Sequence, residues 1–274
     1  MSKIIALCPI HRNTDLVIEQ IINYDKYSQN NFSHILHPSI EGRPNLNLHY
    51  IEKALNKGSI LITNNSWRTS WVSAMSAFLN CSRLIEQFSN SHSYVYIHTD
   101  GDLLIRSGVD SWICDHKIGF NLNGFLAENC GWIHAKNALL DSQLIELKNY
   151  LGLNESDIVI GRQEGSFFTI DLWKNIIFII SKFFTEEYFQ KVKNYWPLEE
   201  VLIPTLAKYF LGHIPSSKNL IKTKEFVHLG GRDNDLNMVN INDINALRSN
   251  PSELSFGMKW FSQDLKDPAR LYLK

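Results

Sequence analysis

Apolar residues in the first third of the chain fall in short β-rich runs separated by longer stretches of helical spacing. Lys3 to Pro9, Phe32 to His37 and Ser59 to Thr63 read as strands, while Asp15 to Tyr24 and Leu48 to Leu55 carry helical patterns between them. That alternation predicts βαβ units and a largely parallel sheet, because a crossover helix returns the chain to run in the same direction. From Trp67 to Phe88, residues Trp71, Met75, Phe78, Leu79, Leu84, Ile85 and Phe88 recur on roughly one face and predict a long amphipathic helix. Ser93 to His98 reads as the next strand. Further helices are expected near Leu139 to Leu151, Leu172 to Phe184, Leu198 to Phe210 and Ile241 to Leu247, with strands at Asp157 to Ile160 and Glu225 to Leu229. No repeat, low-complexity tract or linker interrupts the pattern, which predicts one domain over 1–274.

Composition narrows the class. The 274 residues are 44% apolar and 12% aromatic, enough to bury a full core. Lys and Arg total 27 against 28 Asp and Glu, so no global basic field draws the chain to nucleic acid or anionic lipid. Ile4 to Pro9 is too short for a secretory h-region and is ended by Pro9, which fits a buried first strand. No window approaches the ~20 apolar residues of a membrane span. Cys8, Cys81, Cys114 and Cys130 show no C-x-x-C pairing and are expected to be free thiols in a reducing compartment. The ten histidines have no zinc-site spacing, and neither a Walker A sequence nor G-x-G-x-x-G occurs.

Three segments carry candidate chemistry. Asp100-Gly101-Asp102 follows a predicted strand, at the sheet end where open α/β folds place ligands. Two carboxylates there can hold a divalent ion against a diphosphate, although Asp-Gly is also plain turn chemistry. Glu199 and Glu200 open an apolar helical segment. They are either dipole-stabilising residues of a first turn or a carboxylate placed to take a proton from an attacking hydroxyl. Lys259, in Phe256-Gly257-Met258-Lys259-Trp260-Phe261, either lays its stem on apolar surface or neutralises a departing diphosphate. Gly230-Gly231-Arg232 could meet a phosphate or be a simple turn.

Taken in order, these pieces resemble the core-2/I-branching β-1,6-N-acetylglucosaminyltransferase family, which includes peptide O-xylosyltransferases. The chain opens with Ile4 to His11 and then Asp15 to Ile22, similar to the family's strand ending in His and its following helix. Trp67-Arg68-Thr69-Ser70-Trp71-Val72-Ser73-Ala74 resembles the Trp-led W-G-x-x-S-L-V-x-A helix with one residue fewer. Ile97 to Ile105 looks like the L-S-G-x-D-x-P-L turn, with Asp102 at the acidic position. Gly165-Ser166-Phe167-Phe168-Thr169 matches the G-S-x-W/F-F strand, Leu198 to Thr205 the P-D-E-x-x-x-x-T segment, and Phe256 to Trp260 the F-A-R-K-F ending.

The resemblance implies an α/β, GT-A-like fold with a mixed, mostly parallel central sheet flanked by helices, residues 1–110 forming the nucleotide-sugar-binding half and 111–274 the acceptor-binding and catalytic half. It implies inverting transfer from a UDP-sugar to a glycan or lipid-linked glycan, with Glu200 as catalytic base. Lys259, Asp102, Arg232, Lys224 and His11 are the implied donor-binding residues, and Glu199, Trp67, Phe168 and Ser166 the acceptor-binding ones. No metal is required on that reading. The acid at Asp100, where the family normally has none, leaves open a site for Mn2+ or Mg2+ on Asp100 and Asp102. His37-Pro38-Ser39 replaces the family's H-V-D, and Leu104-Ile105 its P-L. The animal members' membrane anchor and disulfides have no counterpart here, so the expectation is a bacterial cytoplasmic enzyme, at most peripheral to the inner membrane face, building surface polysaccharide or lipooligosaccharide. The alternatives are a metal-dependent GT-A transferase of another family and a non-catalytic carbohydrate-binding protein.

Overall fold

The computed structural model describes residues 3–11, 13–55, 59–66, 69, 73–191, 196–214, 221–223, 238–250 and 254–274. Its centre is a parallel set of strands, β1 (Lys3–Ile10), β2 (Phe32–Pro38), β3 (Ile60–Ile62) and β4 (His92–Ile97). A short strand, β5 (Asp102–Leu104), leaves that sheet, and β6 (Gly119–Phe125) and β7 (Val159–Thr169) extend it antiparallel, giving the order β3-β2-β1-β4-β7-β6. The expected α/β architecture with a mixed, mostly parallel sheet is therefore present.

Helices cover both faces. On one side lie α1 (Thr14–Tyr27), α2 (Leu48–Ala54) and α4 (Val109–His116); on the other α3 (Met75–Ser82), α6 (Ser142–Leu151), α7 (Ile170–Phe183) and α9 (Leu198–Leu211), with the short α5 (Ala135–Leu139) and α8 (Glu186–Lys191) beside them. β1 explains its near-continuous apolar sequence. Ile5 and Leu7 face α3 and α7, while Ile4, Ala6, Cys8 and Ile10 face the α1 side, so a strand buried twice needs no polar alternation. Trp173, Ile176 and Ile180 on α7 are wholly buried, and each such isoleucine stabilises the fold by ~1.5–3 kcal/mol.

A smaller sheet, β5-β9-β8, is built from β5, β8 (Ile221–Thr223) and β9 (Gly257–Lys259), and α10 (Ile241–Ser249) and α11 (Pro268–Leu273) pack against it through Leu103, Met258, Ile244 and Leu273. The Asn23 side chain on α1 stands in for a neighbouring strand at β5: Leu104 N donates to its Oδ1 at 2.7 Å, and its Nδ2 donates to Leu104 O at 3.0 Å.

Several expected elements differ. The helix over Trp67 to Phe88 does not form in one piece: α3 starts at Met75 because the Glu199 carboxylate holds Ser73 and Ala74 outside it, and a 3-10 segment follows at Ile85–Ser91. Leu139 to Leu151 is split at Asp141, whose side chain accepts from Gln143 N and Leu144 N and starts α6 afresh. The strand begun at Asp157 to Ile160 runs on to Thr169, and α4 and β6 were not legible as elements. Glu225 to Leu229 lies outside the described residues. Among the described residues no helix is long and apolar enough to cross a membrane.

Between α1 and the sheet lies a fully buried group of polar rings, Tyr24, His34, Tyr96 and His98. Both His34 nitrogens lack a hydrogen-bond partner; its Nε2 is 3.7 Å from Asp25 Oδ1, longer than a hydrogen bond. Burial lowers the His34 pKa, and nearby His98 lowers it further against the pull of Asp25. The folded state thus favours neutral His34, so its contribution is complete above the ordinary ~6.5 and is lost as pH falls through the lowered value. His34→Phe should remove part of this acid sensitivity, unfolding at a higher temperature than the parent at pH 5 and within a few degrees of it at pH 8. A calorimetric scan showing the variant less stable at pH 5 contradicts this account.

Candidate functional site

β1 and β4 end side by side. His11 follows β1, and its backbone N donates to Asp100 Oδ2 at 3.1 Å, with its ring Nδ1 at 3.1 Å from the same oxygen. The β2 loop closes onto this point: a Cβ on Gly42 would sit 2.4 Å from His11 Cα, so only glycine permits the approach. Two positions further along the turn, Asp102 is turned inward, its side chain 0% exposed. Its Oδ2 accepts from Thr99 N at 3.0 Å and its Oδ1 from Tyr24 OH at 2.8 Å and Gln20 Nε2 at 3.1 Å, with His98 Nδ1 at 3.5 Å. Asp102 fastens the turn to α1. The two carboxylates thus have different partners, and among the described residues no three His, Cys, Asp or Glu side chains gather in a metal-holding group.

β9 runs opposite this turn, with Lys259 in register with Asp102 and Trp260 N donating to Gly101 O at 3.2 Å. The Lys259 ammonium donates to Glu164 Oε1. Glu164 reaches it through a wide irregularity in β7: between the pairs Gly119↔Phe167 and Asn121↔Arg162, Phe120 of β6 faces four residues, Gln163 to Ser166. Gly165 has φ +79° there, a conformation that lets the strand bend outward and re-aim its side chains. Burial works against the Lys259 charge, but Glu164, Asp102 and Asp100 outweigh it and hold its pKa above the ordinary lysine value.

α9 lies along β7, fixed by Thr205 Oγ1, which accepts from Val159 N at 2.9 Å. Its first turn carries Glu199 and Glu200 to the bulge. Glu199 is 2% exposed; its Oε2 accepts from Ser73 Oγ at 2.6 Å and its Oε1 from Ala74 N at 3.0 Å. Burial pushes its carboxyl up to about 7 despite those hydrogen bonds. Glu200 is pushed up to about 8 by burial and then by the neighbouring charges of Glu199 and Glu164; Arg162, and a hydrogen bond from the Trp132 side chain, act in the opposite direction. A cluster of carboxylates facing one buried ammonium leaves at least one acid with a proton-transfer pKa near neutrality.

Of the residues expected to bind or react, Glu199, Glu200, Lys259, Asp100, Asp102 and His11 meet in this region. Phe168 does not: it is 0% exposed, stacked between Phe120 and Trp173 in the core, so it packs the sheet and cannot face an acceptor. Ser166 is also buried, donating to Arg162 O at 3.1 Å, which braces the bulge. Trp67, Lys224 and Arg232 lie outside the described residues. Sequence reasoning missed Gln163, Glu164, Arg162 and Trp132. For Gln163 and Glu164 a signal existed, a glycine inside a strand directly after two polar residues; for Trp132 there was none.

No protein-family model matches the chain, and no curated protein matches it in sequence. Among solved structures, it is similar to a crystal structure of galactosyltransferase LgtC in complex with donor and acceptor sugar analogues, at 11% identity and a TM-score of 0.48 over 96% of this chain and 88% of that one. A crystal structure of an active-site mutant of LgtC overlaps at 10% identity and a TM-score of 0.48, over 100% of this chain and 94% of that one. Overlap at that level does not establish common chemistry.

The two raised carboxyls also set a pH dependence of stability. Both folded values exceed the ordinary ~4.3, so the pair's contribution is complete below that value and is lost as pH rises through about 7 and about 8. Glu200→Gln is neutral at every pH. It should raise the unfolding temperature over the parent by ~2 °C or more at pH 9 and change it little at pH 5; a gain confined to pH 5 refutes the assignment.

Proposed function

We propose that the chain transfers a sugar from a nucleotide-sugar donor to a hydroxyl of a glycan acceptor, with Glu200 as general base. The observation that carries this reading is the half-buried Glu200 carboxyl in the first turn of α9, pushed up to about 8 by burial and by Glu199 and Glu164, with Arg162 and the Trp132 side chain beside it. In a single displacement the acceptor oxygen bonds to the anomeric carbon, the bond from that carbon to the diphosphate oxygen breaks, and the hydroxyl proton passes to Glu200. Inversion follows from attack opposite the leaving group. A base with pKa near the working pH combines proton affinity with a useful ionised fraction.

The departing diphosphate needs positive charge. Lys259 supplies it through ammonium hydrogens that its pairing with Glu164 leaves unused, and exposed Arg162 at the start of the bulge is a second cation within electrostatic reach of Glu200. A UDP-sugar donor, a GT-A-like ancestry and a place in surface polysaccharide or lipooligosaccharide synthesis rest on the sequence resemblance. The inward-facing Asp102 favours metal-independent transfer over the paired-aspartate alternative.

Glu200→Gln should retain donor binding and lose transfer by ~100-fold or more, as removal of a general base does. The parent's rate should rise with pH to a midpoint near 8, and Glu199→Gln should move that midpoint down, because the neighbouring negative charge is gone. Full activity in Glu200→Gln sinks the base assignment. Turnover abolished by EDTA and restored by Mn2+ overturns the metal-free reading.

A further inference from the structure

The bulge in β7 holds an unsatisfied acceptor next to the transfer site. Gln163 is 9% exposed and Glu164 7%. Gln163 Nε2 donates to Glu164 Oε1 at 3.4 Å, and Gln163 Oε1, on the same amide, has no hydrogen-bond partner. The reverse orientation of the amide would set its carbonyl against the Glu164 carboxylate, so Glu164 fixes which way it faces. Buried carbonyl oxygens almost always find a donor, and one held ready beside a charged pair needs a reason.

The chemistry of the missing partner follows from what is already in place. Gln163 Oε1 and the Glu164 carboxylate are acceptors, so a ligand there must bring hydrogens. Phosphate and carboxylate groups bring none and would meet Glu164, Glu199 and Glu200. A cationic amine would meet Lys259, which already occupies Glu164 Oε1. A neutral hydroxyl satisfies every constraint: it donates to Gln163 or Glu164, and its oxygen accepts from Lys259.

We propose that Gln163 and Glu164 form the seat of a neutral, hydroxyl-bearing sugar ring, the acceptor of the transfer, and that this seat decides which acceptor is accepted. The word acceptor rests on the function proposed above; the hydroxyl seat itself does not. Because the seat is buried, a sugar lacking the matching hydroxyl leaves Gln163 Oε1 unpaired and is rejected far more strongly than the loss of a surface contact would cause.

The test uses the full chain and two probes, methyl β-galactoside and methyl β-glucoside, with their monodeoxy analogues, followed by saturation-transfer NMR and calorimetry. In the parent, one ring position should emerge at which deoxygenation weakens binding ~10-fold or more; in Gln163→Leu the same pair should differ by less than ~3-fold. Gln163→Leu should also unfold no lower than the parent, since it removes an unpaired buried acceptor, whereas a purely structural Gln163 would make it unfold lower. Equal deoxy profiles in parent and Gln163→Leu, or no binding of either glycoside by the parent, overturn the proposal. A parent that discriminates the analogues but turns over no nucleotide sugar supports the seat and removes the transferase reading.

Discussion

The contact between Lys259 and Glu164 joins the two sheets, and much of the site follows from it. Lys259 sits on β9 of the small sheet and Glu164 on the bulge of β7 in the large one, so this ion pair bridges them. Both groups are largely out of water, at 17% and 8% side-chain exposure. Such a pair gains little over apolar packing, but removing one partner strands the other charge at a cost of ~3–5 kcal/mol. The pair therefore persists once formed, and whatever enters the site must negotiate with it. The charge balance is uneven: one ammonium faces Glu164, Asp100 and Asp102, with Glu199 and Glu200 close behind. Burial first, and then the charges of Glu199 and Glu164, push the Glu200 carboxyl up to about 8.

Placement of those acids depends on two departures from regular structure. In a regular strand, Gln163 and Glu164 would point to opposite faces, and one of them would be lost to the core. The bulge, opened at Gly165, releases both to the same end of the sheet. On the other side, Glu199 anchors Ser73 and Ala74 and so cuts α3 short, which ties the approach to α3 to the first turn of α9. A carboxylate with both oxygens occupied by an O–H and an N–H is a positioning element rather than a reactive one. Its charge nevertheless acts on Glu200, so one residue shapes the site mechanically and electrostatically.

How much of this was legible in the sequence divides along physical lines. β1, α1, β2, α7 and α9 announce themselves by periodicity, because their burial is regular and their apolar residues follow it. Glu200 and Lys259 stood out as charges in apolar segments, which are costly unless they have a use, and the family resemblance gave them their expected roles. Glu164 was passed over because Gly165 to Thr169 reads as a plain strand, and functional weight then fell on Ser166 and Phe168. The structure assigns those two to bracing and core packing: Ser166 donates back across the bulge to Arg162 O, and Phe168 stacks between Phe120 and Trp173. The Asp100-Gly101-Asp102 spacing suggested two equivalent ligands. A neighbouring helix that the turn sequence cannot reveal gives them different partners, Tyr24 and Gln20 on α1 for Asp102 and His11 for Asp100.

On the proposed reading, the same electrostatics set a tension between binding and turnover. A diphosphate adds negative charge to a site that already carries more than its cations offset. Its arrival pushes the Glu200 carboxyl further up and favours the protonated form, so donor affinity and proton uptake are linked. The ionised form is the one that accepts the acceptor's proton. Affinity for the donor and strength of the base thus pull on one carboxyl in opposite directions with pH. Arg162 and the Trp132 side chain, the two groups that hold Glu200 towards ionisation, are the protein's means of keeping a working fraction of base once the donor is in place.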